Sequence, residues 1–192
     1  MARRKTIFSQ GEYYHIYNRG CNRQNIFRSE ENYLFLSAKL AEVTERFSIS
    51  VIVYSLMPNH FHFLLRQDGD ESAGYAVQLL FNSYTKAFNA MYTRTGTLFE
   101  GPFKSIHVDK REYLVHLCRY IHRNPLEAGL VVRLEDWRHS NYPEWVGQRN
   151  GTLVDKDFVK EHFAGPAEYR KFVMDYTSSK QVTTATKKYL FD

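Results

Sequence analysis

The sequence predicts an α+β protein with a ferredoxin-like antiparallel sheet, two helices on one sheet face, a later tyrosine-bearing helix and a small C-terminal helical extension. One observation is the order of hydrophobic periodicities, which runs strand, helix, strand, strand, helix, strand, helix. The other is composition: 43% of the 192 residues are hydrophobic and 16% are aromatic, enough to build one sizeable core.

The first four elements follow from alternation and helical spacing. Residues 13–18 are short, aromatic and β-branched, which predicts a strand. Ser29 is placed as the N-cap of a helix whose apolar stripe is Leu36, Leu40, Val43 and Phe47. Residues 50–57 and 60–66 are predicted strands, and Pro58-Asn59 provides the turn between them.

The second half of the pattern begins at Gly74, where a long helix is predicted. Its apolar side consists of Val77, Leu80, Phe81, Tyr84, Phe88 and Met91. A loop containing Gly96 and Gly101 leads to a strand over residues 103–108. Residues 110–124 are predicted to form a helix that Pro125 ends, because proline disfavours helical geometry in the preceding residue.

The chain divides by pattern near residue 147. We expect residues 1–147 to form one domain and residues 148–192 to form a helical extension and tail. Within the extension, residues 155–162 and 168–176 are predicted as short helices, and residues 178–188 are polar enough to form a mobile tail.

Several classes of protein are excluded by composition. No apolar run approaches the roughly 20 residues that span a bilayer, so no membrane partner is expected. Cys21 and Cys118 are far apart and belong to no CxxC pair, which argues against a disulfide framework or a thiolate zinc site. We expect a soluble, cytoplasmic protein.

Positive charge is concentrated near the start of the chain. Residues 1–29 contain six basic residues and one acidic residue, an excess that equals the net charge of +5 for the whole chain. A basic arm of this kind suits a polyanion such as nucleic acid. A solvated terminus without a partner is the alternative that charge alone leaves open.

A pair of histidines lies in the predicted inner strand. His60 and His62 point to one face of that strand, while Phe61, Phe63 and Leu65 point to the other. If the apolar residues pack under the helices, two imidazoles lie side by side on the opposite face, at a spacing that can chelate one cation. Two hydrogen-bonded histidines on a half-exposed strand are the structural alternative.

The predicted helix before Pro125 carries a tyrosine beside an amide. Its core stripe is Leu114, Leu117, Cys118 and Ile121. Tyr120 and Asn124 are four residues apart on a neighbouring side and so are adjacent on the helix surface. A phenol and an amide oxygen in this arrangement suit a nucleophile and a metal ligand, although a packed tyrosine and a capping asparagine fit the same spacing.

These blocks together resemble the single-tyrosine HUH transposases, the enzymes of the smallest insertion sequences and of repetitive-extragenic-palindrome (REP) associated elements. The resemblance lies in His60-Phe61-His62 and, downstream, in the Tyr-Ile-His-Arg-Asn-Pro block that begins at Tyr120. Residues 14–20 and 96–105 add supporting matches, so the likeness covers most of residues 12–145 in the family's order. The fuller second block is more similar to the REP-associated branch.

The resemblance implies a catalytic site. His60, His62 and Asn124 would hold a divalent cation, Mg²⁺ or Mn²⁺, against a scissile phosphate of DNA. Tyr120 would attack that phosphorus and form a 5′-phosphotyrosine link, which makes residues 1–147 the catalytic domain and places the tyrosine-bearing helix at the active site. The basic residues that would follow the DNA backbone are Arg3, Arg4, Lys5, Arg19, Arg23 and Lys104.

The implied partner is single-stranded DNA with a hairpin beside the cut site, in a protein of the bacterial nucleoid. We expect a monomer with the tyrosine helix docked on its own sheet and no obligate protein partner; exchange of that helix between two subunits is the alternative. Two other functions compete: a domesticated hairpin DNA- or RNA-binding protein without turnover, and a His-x-His plasmid replication initiator. Gly101-Pro102-Phe103 departs from the family pattern, which has a basic residue after the glycine, and leaves that phosphate contact to Lys104.

Overall fold

A computed structural model of the chain describes residues 6–175, and residues 1–5 and 176–192 lie outside the description. The seven predicted elements occur in the predicted order, and short helices follow them. The bounds are β1 Tyr13–Arg19, α1 Glu30–Arg46, β2 Ile49–Met57, β3 His60–Gln67, α2 Ala73–Met91, β4 Lys104–His107, α3 Leu114–Glu127, α4 Tyr142–Trp145, α5 Lys156–His162 and α6 Pro166–Met174.

The four strands form one antiparallel sheet in the order β2-β3-β1-β4. Strand β1 therefore lies between β3 and β4, although β1 and β3 are separated by more than forty residues in the chain. A sheet with this order and two crossing helices is the ferredoxin-like arrangement, so the predicted fold class is confirmed.

One sheet face packs against α1 and α2. Phe61, Phe63 and Leu65 of β3 join one buried cluster with the apolar stripes of both helices. Ser29 precedes α1 as predicted, and its backbone N–H donates to Oδ1 of Asn32 at 3.3 Å. Met91, the last residue of the predicted apolar side, is 55% exposed because α2 ends there.

The tyrosine-bearing helix differs from its predicted bounds at both ends. A 3-10 turn, Arg111–Tyr113, precedes α3, and α3 continues through Pro125 to Glu127. The helix tolerates this proline because the ring lies in the last turn, where a single donor is lost. Beyond the proline, the Ala128 N–H still donates to the Asn124 carbonyl oxygen at 2.9 Å.

The other sheet face is covered by α3 and the C-terminal elements. A second buried cluster joins Leu64 of β3 to Leu117 of α3, and includes Trp145, Phe158 and Tyr169 from α4, α5 and α6. The predicted short helices appear as α5 and α6, while the predicted tail over residues 178–188 lies outside the described residues. The boundary near residue 147 stays a prediction.

A buried polar network ties α3 to α6. His122 of α3 lies with Nδ1 at 2.6 Å from Tyr169 Oη and with Nε2 at 2.9 Å from Asn141 Oδ1. Burial lowers the pKa of His122 to about 3, so the ring is neutral near pH 7. Across residues 6–175, no helix has the length and apolar character that a membrane span requires.

Candidate active site

The two histidines of β3 lie side by side on the face that α3 crosses. Their ring centroids are 5.2 Å apart and the rings are nearly perpendicular, at 87°. His62 is fully buried, and His60 is partly exposed at the start of the strand. The alternation of β3 thus separates the imidazoles from the phenylalanines as the sequence predicts.

Tyr120 lies beside the histidine pair in the same chain. Its ring centroid is 5.6 Å from that of His62, with an interplanar angle of 82°. Tyr120 is half-buried on α3, which packs across β2 and β3. The phenol and the imidazole pair, which are nearly sixty residues apart in sequence, therefore meet in the folded protein.

Asn124 follows Tyr120 by one helical turn and reaches His60. Its Nδ2 donates to the Tyr120 carbonyl oxygen at 2.8 Å, which leaves Oδ1 as the acceptor of this amide. A side-chain hydrogen bond from Asn124 also acts on His60, where it favours the protonated imidazole. The three predicted metal ligands, His60, His62 and Asn124, therefore converge beneath one turn of α3.

Burial keeps both imidazoles neutral. Desolvation and the positive charge of Arg19 together lower the pKa of His60 to about 4, although the Asn124 hydrogen bond acts in the opposite direction. Desolvation, followed by the charges of His15 and His60, holds the pKa of His62 well below its ordinary value. A neutral imidazole can present a lone pair to a cation at physiological pH, whereas a protonated imidazole cannot.

The donor set fits a divalent cation. Two neutral imidazoles and an amide oxygen are the side-chain ligands available, and imidazole suits Mn²⁺ better than Mg²⁺. Within residues 6–175, no three His, Cys, Asp or Glu side chains are grouped to hold a metal. A cation at this site would consequently depend on the amide and on oxygen ligands from substrate or water.

Three of the predicted DNA-binding residues gather near this site. Arg19 ends β1 directly opposite His60 and forms a two-pronged ion pair with Glu100, at 2.9 and 3.3 Å. The Arg19 hydrogen bond lowers the pKa of Glu100, and the positive charges of Arg19, Lys104 and Arg23 add to that effect. The structure thus pairs Arg19 with this carboxylate and brings Arg23 and Lys104 near enough for their charges to act on it.

The remaining basic residues, Arg3, Arg4 and Lys5, lie outside the described residues. The described chain begins beside the edge strand β4, where the Thr6 hydroxyl donates to the Ser105 carbonyl oxygen at 2.8 Å. Ser105 is the next residue after Lys104.

The family described as "Transposase IS200 like" matches residues 9–124, which include both histidines, Tyr120 and Asn124. The chain belongs to this family. The predicted recognition and the predicted enzyme class, a tyrosine HUH transposase, are thereby confirmed.

Two solved structures are similar to this transposase. A REP-associated tyrosine transposase bound to a REP hairpin matches with a TM-score of 0.65 and 16% identity, over 81% of this chain and 94% of that chain. A transposase candidate from Deinococcus radiodurans R1 matches with a TM-score of 0.43 and 15% identity, over 64% and 96% of the two chains. At 16% identity, the similarity to the REP-associated transposase shows a shared fold alone. No curated protein matches the chain.

One residue beside the candidate site was missed by sequence reasoning. His15 on β1 is fully buried, and its Nε2 lies 3.0 Å from Nδ1 of His62. Strand alternation puts His15, Tyr17 and Arg19 on one face of β1. In the ferredoxin-like strand order β1 lies next to β3, so these two signals together would have placed His15 against the histidine pair.

Proposed function

We propose that this transposase cleaves single-stranded DNA beside a hairpin and rejoins the cut strand through a covalent link to Tyr120. The observation that supports this most directly is the position of the Tyr120 ring, 5.6 Å from the His62 ring in the same chain. A partly exposed phenol beside two neutral imidazoles matches the needs of a phosphoryl-transfer nucleophile. A tyrosine that served only to pack the core would not need to lie beside two imidazoles.

The reaction proceeds by two exchanges at one phosphorus. Tyr120 Oη attacks and forms an O–P bond as the bond from phosphorus to the 3′ oxygen breaks. The phenol gives up its proton, and the departing 3′ oxygen gains one to become a hydroxyl. A 3′-hydroxyl then attacks the 5′-phosphotyrosine, breaks the Tyr120–phosphorus bond and restores a phosphodiester. No nucleotide cofactor is consumed, because the covalent link conserves the phosphodiester energy.

His60, His62 and Asn124 are the residues that we propose to hold Mg²⁺ or Mn²⁺. An ordinary phenol has a pKa near 10 and is a weak nucleophile at neutral pH, so attack needs electrostatic help. A bound divalent cation supplies that help by polarising the scissile phosphate. The neutral state of both imidazoles and the amide at the end of α3 support this assignment.

Hairpin DNA is the substrate we propose. The similar REP-associated transposase binds a REP hairpin, and this chain gathers basic residues beside its histidine pair. Arg19, Arg23 and Lys104 would bind backbone phosphates next to the cut site, and Glu100 would release Arg19 when a phosphate arrives. Phosphate contacts of this kind position a strand without specifying its sequence.

We also propose that one subunit is sufficient. Two arginines of α3 donate to the last carbonyl groups of α6: Arg119 Nη1 to Phe172 O at 3.3 Å, and Arg123 Nη1 to Val173 O at 3.1 Å. Positive charge at a helix C-terminus is favourable, and the Arg119 guanidinium also lies 4.4 Å from the Phe172 ring centroid. These contacts hold Tyr120 over its own sheet.

Adduct formation tests the nucleophile. The protein is mixed with a single-stranded hairpin oligonucleotide and Mn²⁺, and a denaturant-resistant protein–DNA adduct is measured. We expect the adduct in the wild type and in Tyr75→Phe, whose side chain is exposed on α2, and none in Tyr120→Phe. An undiminished adduct in Tyr120→Phe would falsify the assignment, and hairpin binding without an adduct in the wild type would point to a binding protein.

Complementation tests the single-subunit arrangement. Tyr120→Phe keeps the histidine pair, and His62→Ala keeps the tyrosine, so each variant lacks one half of the site. If Tyr120 acts on its own sheet, a mixture of the two stays inactive. Adduct formation that reappears on mixing would mean that subunits exchange α3.

A further inference from the structure

Two buried histidines on neighbouring strands form an imidazole pair at the centre of the sheet. His15 on β1 and His62 on β3 are both 0% exposed, and His15 Nε2 lies 3.0 Å from His62 Nδ1. Their ring planes are inclined by only 20°, with centroids 5.3 Å apart. One of the two nitrogens must donate and the other must accept, because a hydrogen bond needs one proton between them.

The direction of this hydrogen bond decides what His62 can do. If His62 Nδ1 donates, then His62 Nε2 keeps a lone pair and can coordinate a cation. If His15 Nε2 donates, the neutral His62 carries its proton on Nε2 and that nitrogen cannot coordinate. Since Nδ1 is engaged with His15, Nε2 is the nitrogen through which His62 would bind metal.

We propose that His15 is a positioning residue that accepts a hydrogen bond from His62 Nδ1 and thereby presents His62 Nε2 to the cation. This inference rests on the proposed cation site. His15 requires its own proton on Nδ1 to play this part, since its Nε2 must supply the lone pair. Hydrogen-bond partners of this kind orient metal-binding imidazoles and raise their affinity for metal.

The same arrangement occurs at the other imidazole. Asn59 Oδ1 lies 2.6 Å from His60 Nδ1, and an amide oxygen can only accept, so this contact favours the His60 tautomer that carries its proton on Nδ1. The amide is oriented because Asn59 Nδ2 donates to the Arg23 carbonyl oxygen at 3.4 Å. Gly20 holds the same turn through its N–H, which donates to Asn59 O at 2.8 Å. Both imidazoles are therefore poised to coordinate through Nε2.

Metal affinity measured without DNA tests the role of His15. The probe is Mn²⁺ alone, titrated against the full-length protein and followed by electron paramagnetic resonance of the unbound ion. His15→Gln retains an acceptor oxygen at a similar reach, whereas His15→Met fills the space without an acceptor. We expect His15→Gln to stay close to wild-type affinity and His15→Met to bind about 10- to 100-fold more weakly.

A matched control separates this effect from the general loss of a histidine. His107→Met removes an exposed histidine of β4 that pairs with Glu12, and we expect its Mn²⁺ affinity to equal that of the wild type. Equal affinity in a folded His15→Met protein would overturn the positioning role while leaving the proposed cation site intact. Failure of the wild type itself to bind Mn²⁺ would overturn the cation site, and this inference with it.

Nitrogen-15 spectroscopy of the imidazoles tests the proposal in the wild-type protein without metal. Two-bond proton–nitrogen correlations report which ring nitrogen carries the proton. We expect the proton on Nδ1 in both His15 and His62 at neutral pH. A His62 proton on Nε2 would refute the proposed direction of the hydrogen bond, whatever the His15 variants do.

Discussion

Replacing Tyr169 with phenylalanine removes one hydroxyl from the buried contact between α6 and the tyrosine-bearing helix. The other partner of His122, Asn141 Oδ1, can only accept, so His122 carries its proton on Nε2 and the Tyr169 hydroxyl donates to Nδ1. Asn141 is oriented in turn, because its Nδ2 donates to the carbonyl oxygens of Ile52 and Leu153. Tyr169→Phe therefore leaves a buried acceptor without a donor.

The expected loss of stability follows from the cost of leaving a buried acceptor without a hydrogen bond. An unsatisfied buried acceptor lowers the free energy of unfolding by about 1–3 kcal/mol. For a domain of this size, 2 kcal/mol lowers Tm by roughly 4–8 °C. Tyr169→Ala also removes a ring whose centroid lies 4.4 Å from that of Trp145 and 4.8 Å from that of Phe163. Loss of a large buried ring costs about 3–5 kcal/mol, so the alanine variant is expected to be less stable than the phenylalanine variant.

Urea denaturation measures both losses, with Tyr75→Phe as a surface control whose midpoint should not move. Fluorescence reports on Trp145 in the α4–α6 cluster and on Trp137 beside Tyr33 of α1, and circular dichroism reports on the whole sheet and its helices. We expect the two signals to change together, because both buried clusters share the sheet. A Tyr169→Phe midpoint equal to that of the wild type would refute the hydrogen-bond argument. A separate early fluorescence transition would show that the surroundings of the tryptophans unfold before the sheet.

Three further outcomes are expected. Glu100→Gln removes a carboxylate that lies near three basic side chains, so it should tighten the binding of single-stranded DNA, most strongly at low salt. Fluorescence anisotropy measures this binding. The control Glu71→Gln, on an exposed loop, should leave DNA binding unchanged. His62→Ala should abolish cation-dependent cleavage yet leave hairpin binding within a few-fold of wild type; equal loss of binding would make the histidines structural. Burial lowers the pKa of His139 in the folded protein, so on acidification this histidine is protonated in the unfolded chain before it is protonated in the folded protein. The free energy of unfolding therefore falls as the pH drops below about 6.5. In urea titrations between pH 7 and 5, His139→Gln should reduce the dependence of the free energy of unfolding on pH. An unchanged dependence would assign the loss of stability to other histidines.

The course of α3 shows where local sequence rules are insufficient. The proline rule predicts an end at Asn124, since it considers only the backbone around Pro125. In the structure Pro125 is buried and the helix extends three residues beyond Asn124, to Glu127. Packing against the C-terminal elements outweighs one missing donor, and no local pattern contains that information.

The sequence by itself determined the strand and helix order, the face to which His60 and His62 point, and the one-turn spacing of Tyr120 and Asn124. These features depend on periods of two and 3.6 residues, which neighbours in the chain define. Tertiary structure alone decided that α3 crosses above the histidines, that the His15 and His62 rings come within hydrogen-bonding distance, and that α6 holds α3 in place. The His15–His62 and Arg119–Phe172 contacts join residues 47 and 53 positions apart in the chain, so they exist only after the sheet order and helix packing are complete.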